Sequence, residues 1–368
     1  MLFDSLTKEE FAEFQGATFI FLYTFIDIFD DAQSMFNIQE IFNLTLNLLQ
    51  NHDNHSTKYC LDFMTRVIMK FQLDLDLIEI NEIIQKFYDS NIEDIIATNN
   101  FLIQYIRKVN TPDQIHQIYE IIINNLLSIN DCSTFEVLLE LFANDGNMIQ
   151  HYVGTSHFLE FLKKFNSINN EFNSVHVKNA IKFLSFVISS QNDMEKAKNI
   201  TNLINFMNLC EMFETTDSND YFKELVELFI CILDTDPQNF MKLFIDNNIV
   251  MISIDEFIHG THSRSVIIIK LIEKLFAYFP DIMLDFLLSD SFFQTNNLLS
   301  FHEAESMDFC VFIFDVINFA KAKPDKLEFI VQQLEESEFL EDLNELMESN
   351  PEYFGEICQA ILNTLKLE

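Results

Sequence analysis

The chain has 368 residues, and 58 Asp and Glu against 22 Lys and Arg leave it a formal charge of −36. Such a charge repels phosphate, whose binding needs a cationic surface that releases counterions, so nucleic acid and anionic lipid are disfavoured as partners. With 49% hydrophobic residues and a mean hydropathy of +0.10 the chain is folded, yet it exceeds the ~250–300 residues at which one core stops growing, which leaves several domains or a stack of repeats.

The N-terminal MLFDSLTKEE lacks the basic n-region of a secretory signal. The longest uncharged run nearby, Phe14 to Ile26, has 13 residues, short of the ~18 that a spanning helix needs, so no membrane span is expected. Six scattered cysteines form no CxxC pair, and most sit among apolar neighbours. They read as free thiols of a reducing compartment, cytoplasmic or nuclear. Five glycines and five prolines are too few for sheets joined by tight hairpins. Helical periodicity runs throughout, and the expected class is all-α.

In chain order, weaker helical units centre on ATFIFLYTFIDIF and KYCLDFMTRVIMKF, and clearer ones follow from Pro112 on. The five prolines, Pro112, Pro237, Pro280, Pro324 and Pro351, open PDQI, PQNF, PDIM, PDKL and PEYF. Proline fits the first turn of a helix, where its missing N–H costs nothing, and an adjacent acid complements the helix dipole. Each proline is therefore expected to start a helix. Pro237 to Pro280 is 43 residues, Pro280 to Pro324 is 44, and Pro112 to Pro237 is 125, nearly three such steps. Gly154 in GTSHFLEF and Asn192 in NDME fill the missing marks.

A long amphipathic helix is predicted before each mark. Its stripe is Ala180, Ile181, Leu184, Val187 and Ile188 before Asn192, and Phe222, Leu225, Val226, Phe229, Ile232 and Leu233 before Pro237. Before Pro280 it is Ile268, Leu271, Ile272, Leu275, Phe276 and Phe279. These follow helical i, i+3, i+4, i+7 spacing. DFCVFIFDVINFA, before Pro324, is apolar nearly all round, as a helix buried between neighbours would be. One unit is thus a long helix, a short corner and a second helix. The expectation is one domain over 1–368 with units near 1–72, 73–112, 113–153, 154–191, 192–236, 237–279, 280–323 and 324–368. A period of ~40–47 residues is that of HEAT and armadillo repeats, and gives roughly eight to nine units.

On this period and helix pattern the chain resembles the armadillo/HEAT superfamily. The resemblance implies a right-handed α-solenoid superhelix whose curved face makes protein contacts, without catalysis. Arg66, Arg107 and Arg264 are the only arginines, so no aspartate–arginine ladder of HEAT type can run through the stack. The five glycines cannot supply the armadillo glycine in every unit, and the absence of tryptophan separates the chain from importin-α-like receptors.

No glycine-clustered phosphate loop, GxSxG, HExxH or DxDxDG pattern occurs, and neither an enzyme nor a cofactor is expected. Two HxxH pairs, His52/His55 with Asp53 and Cys60 nearby, and His259/His262, lack the complete ligand set zinc requires and read as surface histidines. The polar faces of the long helices are more informative. Lys178 and Lys223 lie fourteen residues before their marks, Lys182 and Lys270 ten before, and Lys274 six before, which is one helix face. The window 163–198 holds six lysines against three acids. These five lysines form the candidate binding strip, suited to an acidic or phosphorylated segment. The competing reading is a solvated face of mixed charge, interrupted by Glu227 and Glu273. Segment 325–356 is the reverse, with eleven acids and Lys326. It reads as a polar capping repeat, or as a dock for a basic partner.

The function these features favour is a non-catalytic protein-binding scaffold or adaptor. The alternatives are a regulatory subunit of a phosphatase or kinase complex, and a nuclear-transport or chaperone-like receptor for basic clients. A single elongated stack is expected, with the five lysines on one continuous surface.

Overall fold

The computed structural model describes residues 12–29, 36–51, 57–71, 73, 84, 92–108, 112–126, 133–167, 174–289, 292–294 and 303–365. Among them are twenty α-helices, one 3-10 turn and no strand. The chain divides into two compact units, Met1–Ile168 with Val175–Ser190, and Asn169–Ser174 with Gln191–Glu368.

The first unit contains α1 (Ala12–Ile28), α2 (Ile38–Asn51), α3 (Thr57–Lys70), α4 (Ile92–Lys108), α5 (Pro112–Leu126), α6 (Ser133–Asn144), α7 (Gly146–Val153), α8 (Ser156–Phe165) and α9 (Ser174–Ser189). Within it α1 packs on α3, α3 on α4 and α4 on α6, and Phe135 of α6 meets Phe183 of α9 with ring centroids 5.0 Å apart. These stacked helices begin at residues 12, 57, 92, 133 and 174, steps of 45, 35, 41 and 41 residues. Their polar edges are tied in the same register. Arg66 lies 3.6 Å from Asp27, Arg107 pairs with Glu140 at 2.9 Å, and Asn179 donates to Glu136 at 3.1 Å. Lys70 donates to the Ile26 carbonyl at 2.6 Å, placing a cation at the carbonyl end of α1, where the helix dipole favours it.

The second unit contains α10 (Met194–Thr201), α11 (Phe206–Thr215), α12 (Asn219–Thr235), α13 (Pro237–Asp246), α14 (Ile249–His259), α15 (His262–Tyr278), α16 (Pro280–Ser289), the 3-10 turn Phe292–Gln294, α17 (Glu303–Ala320), α18 (Pro324–Glu336), α19 (Phe339–Ser349) and α20 (Pro351–Leu365). The stacked series is α12, α15, α17 and α20. All five prolines stand at the first position of a helix, α5, α13, α16, α18 and α20. At α13 the preceding Asp236 caps the helix by accepting from the Asn239 N–H, and Lys198 lies 2.8 Å from its carboxylate.

The groups are richer than a two-helix unit. A third, short helix follows in several of them: α8 after α7, α14 after α13, and α19 after α18. None of the three begins at a proline. Asn248 starts α14 with a left-handed backbone (φ 60°), the turn Asn tolerates better than most residues. The helix expected before Gly154 is broken at Asp145, whose carboxylate accepts from the Asn147 N–H and so restarts the chain as α7.

Arg264 ties the middle of the second unit together. Its guanidinium pairs with Glu256 of α14 at 2.8 Å, donates to Asn219 of α12 at 3.3 Å and to the Thr216 carbonyl, and lies 4.6 Å from the centre of the Phe222 ring. The side chain is 13% exposed. Lysine cannot reproduce a planar fork that serves several acceptors and stacks on a ring. We expect Arg264→Ala to lower the unfolding free energy by about 3 kcal/mol, since it strands a half-buried carboxylate, and Arg264→Lys to recover little of it. Urea melts of the three proteins check this, and equal midpoints for wild type and Arg264→Ala would contradict it. The turn that presents Arg264 also requires Gly260, because a Cβ there would lie 2.2 Å from the Glu256 carbonyl oxygen. Gly260→Ala is therefore expected to shift the same melt downward, whereas Gly355→Ala, where a Cβ meets nothing within 4 Å, is expected to be neutral or mildly stabilising.

Candidate protein-binding surface

On α9 the apolar stripe turns Val177, Ala180, Ile181, Leu184, Val187 and Ile188 inward. Lys178 and Lys182, one turn apart, take the other face; Lys178 is half-buried and Lys182 exposed. Among the described residues Lys182 has no carboxylate within ion-pair distance. The first unit thus presents a cationic pair on the outward side of its last stacked helix.

In the second unit Lys223 is exposed on α12 and lies 4.0 Å from Glu227, a loose pair of the kind that contributes little. Lys270 is exposed on α15, likewise without a carboxylate at ion-pair distance among the described residues. Lys274 is engaged. It reaches Asp234 of α12 at 2.8 Å, that same carboxylate accepts from the Tyr278 hydroxyl at 2.6 Å, and the ammonium lies 5.4 Å from the centre of the Tyr278 ring. The hydrogen bond it donates to Asp234 favours the charged form of the lysine and raises its pKa. Lys274 therefore joins one repeat to the next, and the outward cations here are Lys223 and Lys270.

Glu273 lies beside them. Sequence reading treats it only as an acid interrupting the strip, but its Oε1 is buried without a hydrogen-bond partner among the described residues. Burial pushes its carboxyl up to about 7; Asp308 and Asp315 of α17 push the same way, and Lys270 opposes them. Near neutrality Glu273 is thus partly protonated and offsets only part of the Lys270 charge.

Among the described residues, no three His, Cys, Asp or Glu are arranged to hold a metal ion. His259 is exposed, 3.9 Å from Asp255. His52, Asp53 and His55 lie outside the described residues. The acidic segment 325–356 spans α18, α19 and the start of α20. Lys323 and Lys326 at its edge pair with Asp281 and Asp285 of α16. Within it the Asp342 carboxyl is pushed up to about 6, first by burial and then by Glu338, Glu345 and Glu341. No helix of the described residues is long and apolar enough to cross a membrane.

The stacked long helices of each unit, with short helices at their corners, have the fold of an α-solenoid. Among solved structures the chain is similar to yeast importin-β (Kap95p), a HEAT-repeat solenoid, with a TM-score of 0.61 and 13% identity over 98% of this chain. It spans about half of that importin, 48% of its length. It is also similar to an engineered protein, with a TM-score of 0.54 and 13% identity over 99% of this chain and 98% of that one. No protein-family model matches the chain, and no curated protein does.

The charge state of Glu273 sets a pH dependence. A carboxyl whose folded pKa is raised above its unfolded value binds its proton more tightly in the native state. Its contribution is full below the unfolded value of about 4.3 and is lost as pH climbs through 7. We expect Glu273→Gln to leave stability near pH 5 little changed and to raise the melting temperature at pH 8. A difference between wild type and variant that stays flat from pH 5 to 8 would show that Glu273 ionises normally.

Proposed function

We propose that the protein is a non-catalytic scaffold or adaptor whose outward long-helix faces bind an acidic or phosphorylated segment of another protein in the cytoplasm or nucleus. One observation carries this reading. In a chain of net charge −36, Lys182 and Lys270 stand exposed on stacked helices with no ion-pair partner among the described residues. Lys178 and Lys223 share their respective faces, and Lys274 lies one turn beyond Lys270. A cation in so acidic a protein finds carboxylates readily, so two that have none face outward toward something else. Helical-repeat surfaces suit extended segments, because each repeat offers a similar contact in turn.

The second reading is a transport-receptor-like role for basic clients. The likeness to yeast importin-β and the acidic α18–α20 region favour it. A regulatory subunit of a phosphatase or kinase complex would use the same kind of surface, and would copurify with one stoichiometric enzyme.

Fluorescence anisotropy separates the readings. A labelled peptide of alternating glutamate and phosphoserine is titrated with wild type, Lys182→Glu, Lys270→Glu and the double variant, and a lysine-rich peptide is run in parallel. We expect the acidic peptide to bind wild type, to weaken roughly tenfold in the double variant, a 1.4 kcal/mol change, and to weaken with added salt. Binding of the lysine-rich peptide alone, unaffected by either substitution, would overturn the scaffold reading in favour of the receptor for basic clients.

A further inference from the structure

In the first unit α1 packs on α3 and buries Phe19, Leu22 and Ile26. Its exposed side is also apolar. Ala17, Ile20, Phe21, Thr24 and Ile28 face outward, and Phe29 follows just past the helix end. Phe21 is 52% exposed and Ile28 67%. The Thr24 hydroxyl donates back to the Ile20 carbonyl at 2.7 Å, so it is satisfied within the helix. Phe21, Phe25 and Phe29 form a ladder along one edge, with ring centroids 6.1 and 4.5 Å apart, and Phe36 lies 5.2 Å from Phe25. No charge occurs from Phe14 to Ile26, and Asp27 beyond them lies 3.6 Å from Arg66 of α3. The stacked helix α20 of the second unit behaves differently. It turns out Glu352, Glu356, Gln359 and Asn363 beside one aromatic, Tyr353, which is the polar outer face a helical stack needs where it meets water.

We propose that the outward face of α1 is a homodimer interface, packed on α1 of a second copy about a two-fold axis. Charge selects this occupant and this helix. Across a two-fold axis each face meets itself, so a charged face repels its own copy and a neutral apolar one does not. The outward sides of α9, α12, α15 and α20 carry exposed lysines or acids, which would meet like charges. α1 would meet none along its uncharged run. The net charge of −36 does not forbid the contact, because at physiological salt charges beyond a Debye length of ~8 Å are largely screened. The area is sufficient as well. Ile20, Phe21, Ile28 and Phe29, each about half exposed, offer on the order of 400 Å² per copy. That is roughly half of the ~800 Å² that a standard interface buries per partner, and leaves the remainder for a polar rim. An antiparallel crossing with its axis near Thr24 sets Phe21 against Ile28 of the partner subunit, and the symmetry repeats the contact.

Sedimentation equilibrium of the full-length chain over about a hundredfold range of concentration tests this. We expect wild type to pass from monomer to dimer, and to do so more readily as salt is raised, since salt screens the repulsion between two acidic copies. Binding of an acidic peptide at the lysine faces has the opposite salt dependence. Phe21→Lys and Ile28→Lys are each expected to weaken the dimer at least tenfold, although each reduces the net negative charge. Met207→Lys, at a comparably exposed apolar residue of α11, is expected to leave it unchanged. The proposal is overturned by wild type that stays monomeric at every concentration and salt, or by a dimer that both α1 variants retain. Should those variants fail to fold, hydrogen exchange of wild type at low and high concentration decides: protection that grows with concentration in α1 supports the interface, and protection that grows elsewhere instead overturns it.

Discussion

Everything in this structure depends on long amphipathic helices that cannot bury their apolar faces alone. A lone helical pair exposes one side of its stripe, and only a neighbour of similar shape covers it. The chain meets that requirement with phenylalanine, 41 residues of it and no tryptophan. In the first unit Phe183 of α9 lies within ring contact of Phe135 and Phe142 of α6 and of Phe161 of α8. In the second, Phe229 of α12 meets Phe206 and Phe213 of α11 and Phe244 of α13. Farther along, Phe257 of α14 stacks on Phe292 of the 3-10 turn and on Phe309 of α17. Each ring spans a helix–helix boundary, and edge-to-face and offset geometries let one residue type fill junctions of different angle.

The polar face answers the same repeat distance. Bonds such as Asn179–Glu136, Tyr278–Asp234 and Lys326–Asp285 join residues 43, 44 and 41 apart. A chain with so few cations places many of them at these joints: Arg66, Arg107, Lys198, Arg264, Lys274 and Lys323 all pair with carboxylates of other elements. An exposed pair of this kind adds little by itself. Arg264 differs because it is largely buried and serves three elements at once.

Much of this architecture is legible in the sequence, and the physical reasons are specific. Proline leaves a mark because it tolerates only the first turn of a helix, so Pro237, Pro280 and Pro324 expose the period directly. Short corner helices leave no such mark. α14 begins at a left-handed Asn248 and α8 at a Thr155 cap, features that many turns share. Side-chain pairing across the stack is harder still. Lys274 and Lys270 occupy equivalent turns of one helix face, and only the position of Asp234 on the neighbouring repeat separates an engaged lysine from an outward one.

The distinction between Lys270 and Lys274 bears on what the surface does. Had both been paired, the face would be a structural ladder with its charge internally neutralised. Glu273, the acid best placed to neutralise Lys270, is instead held against α17, where burial and the facing Asp308 and Asp315 favour its protonated form. The fold thus withdraws a counter-charge from Lys270 while supplying one to Lys274. Lys270 is thus exposed beside a carboxyl that burial keeps partly protonated, with the exposed Asp308 and Asp315 of α17 facing that carboxyl. That local asymmetry distinguishes Lys270 from Lys274 although both sit on one face of the same helix.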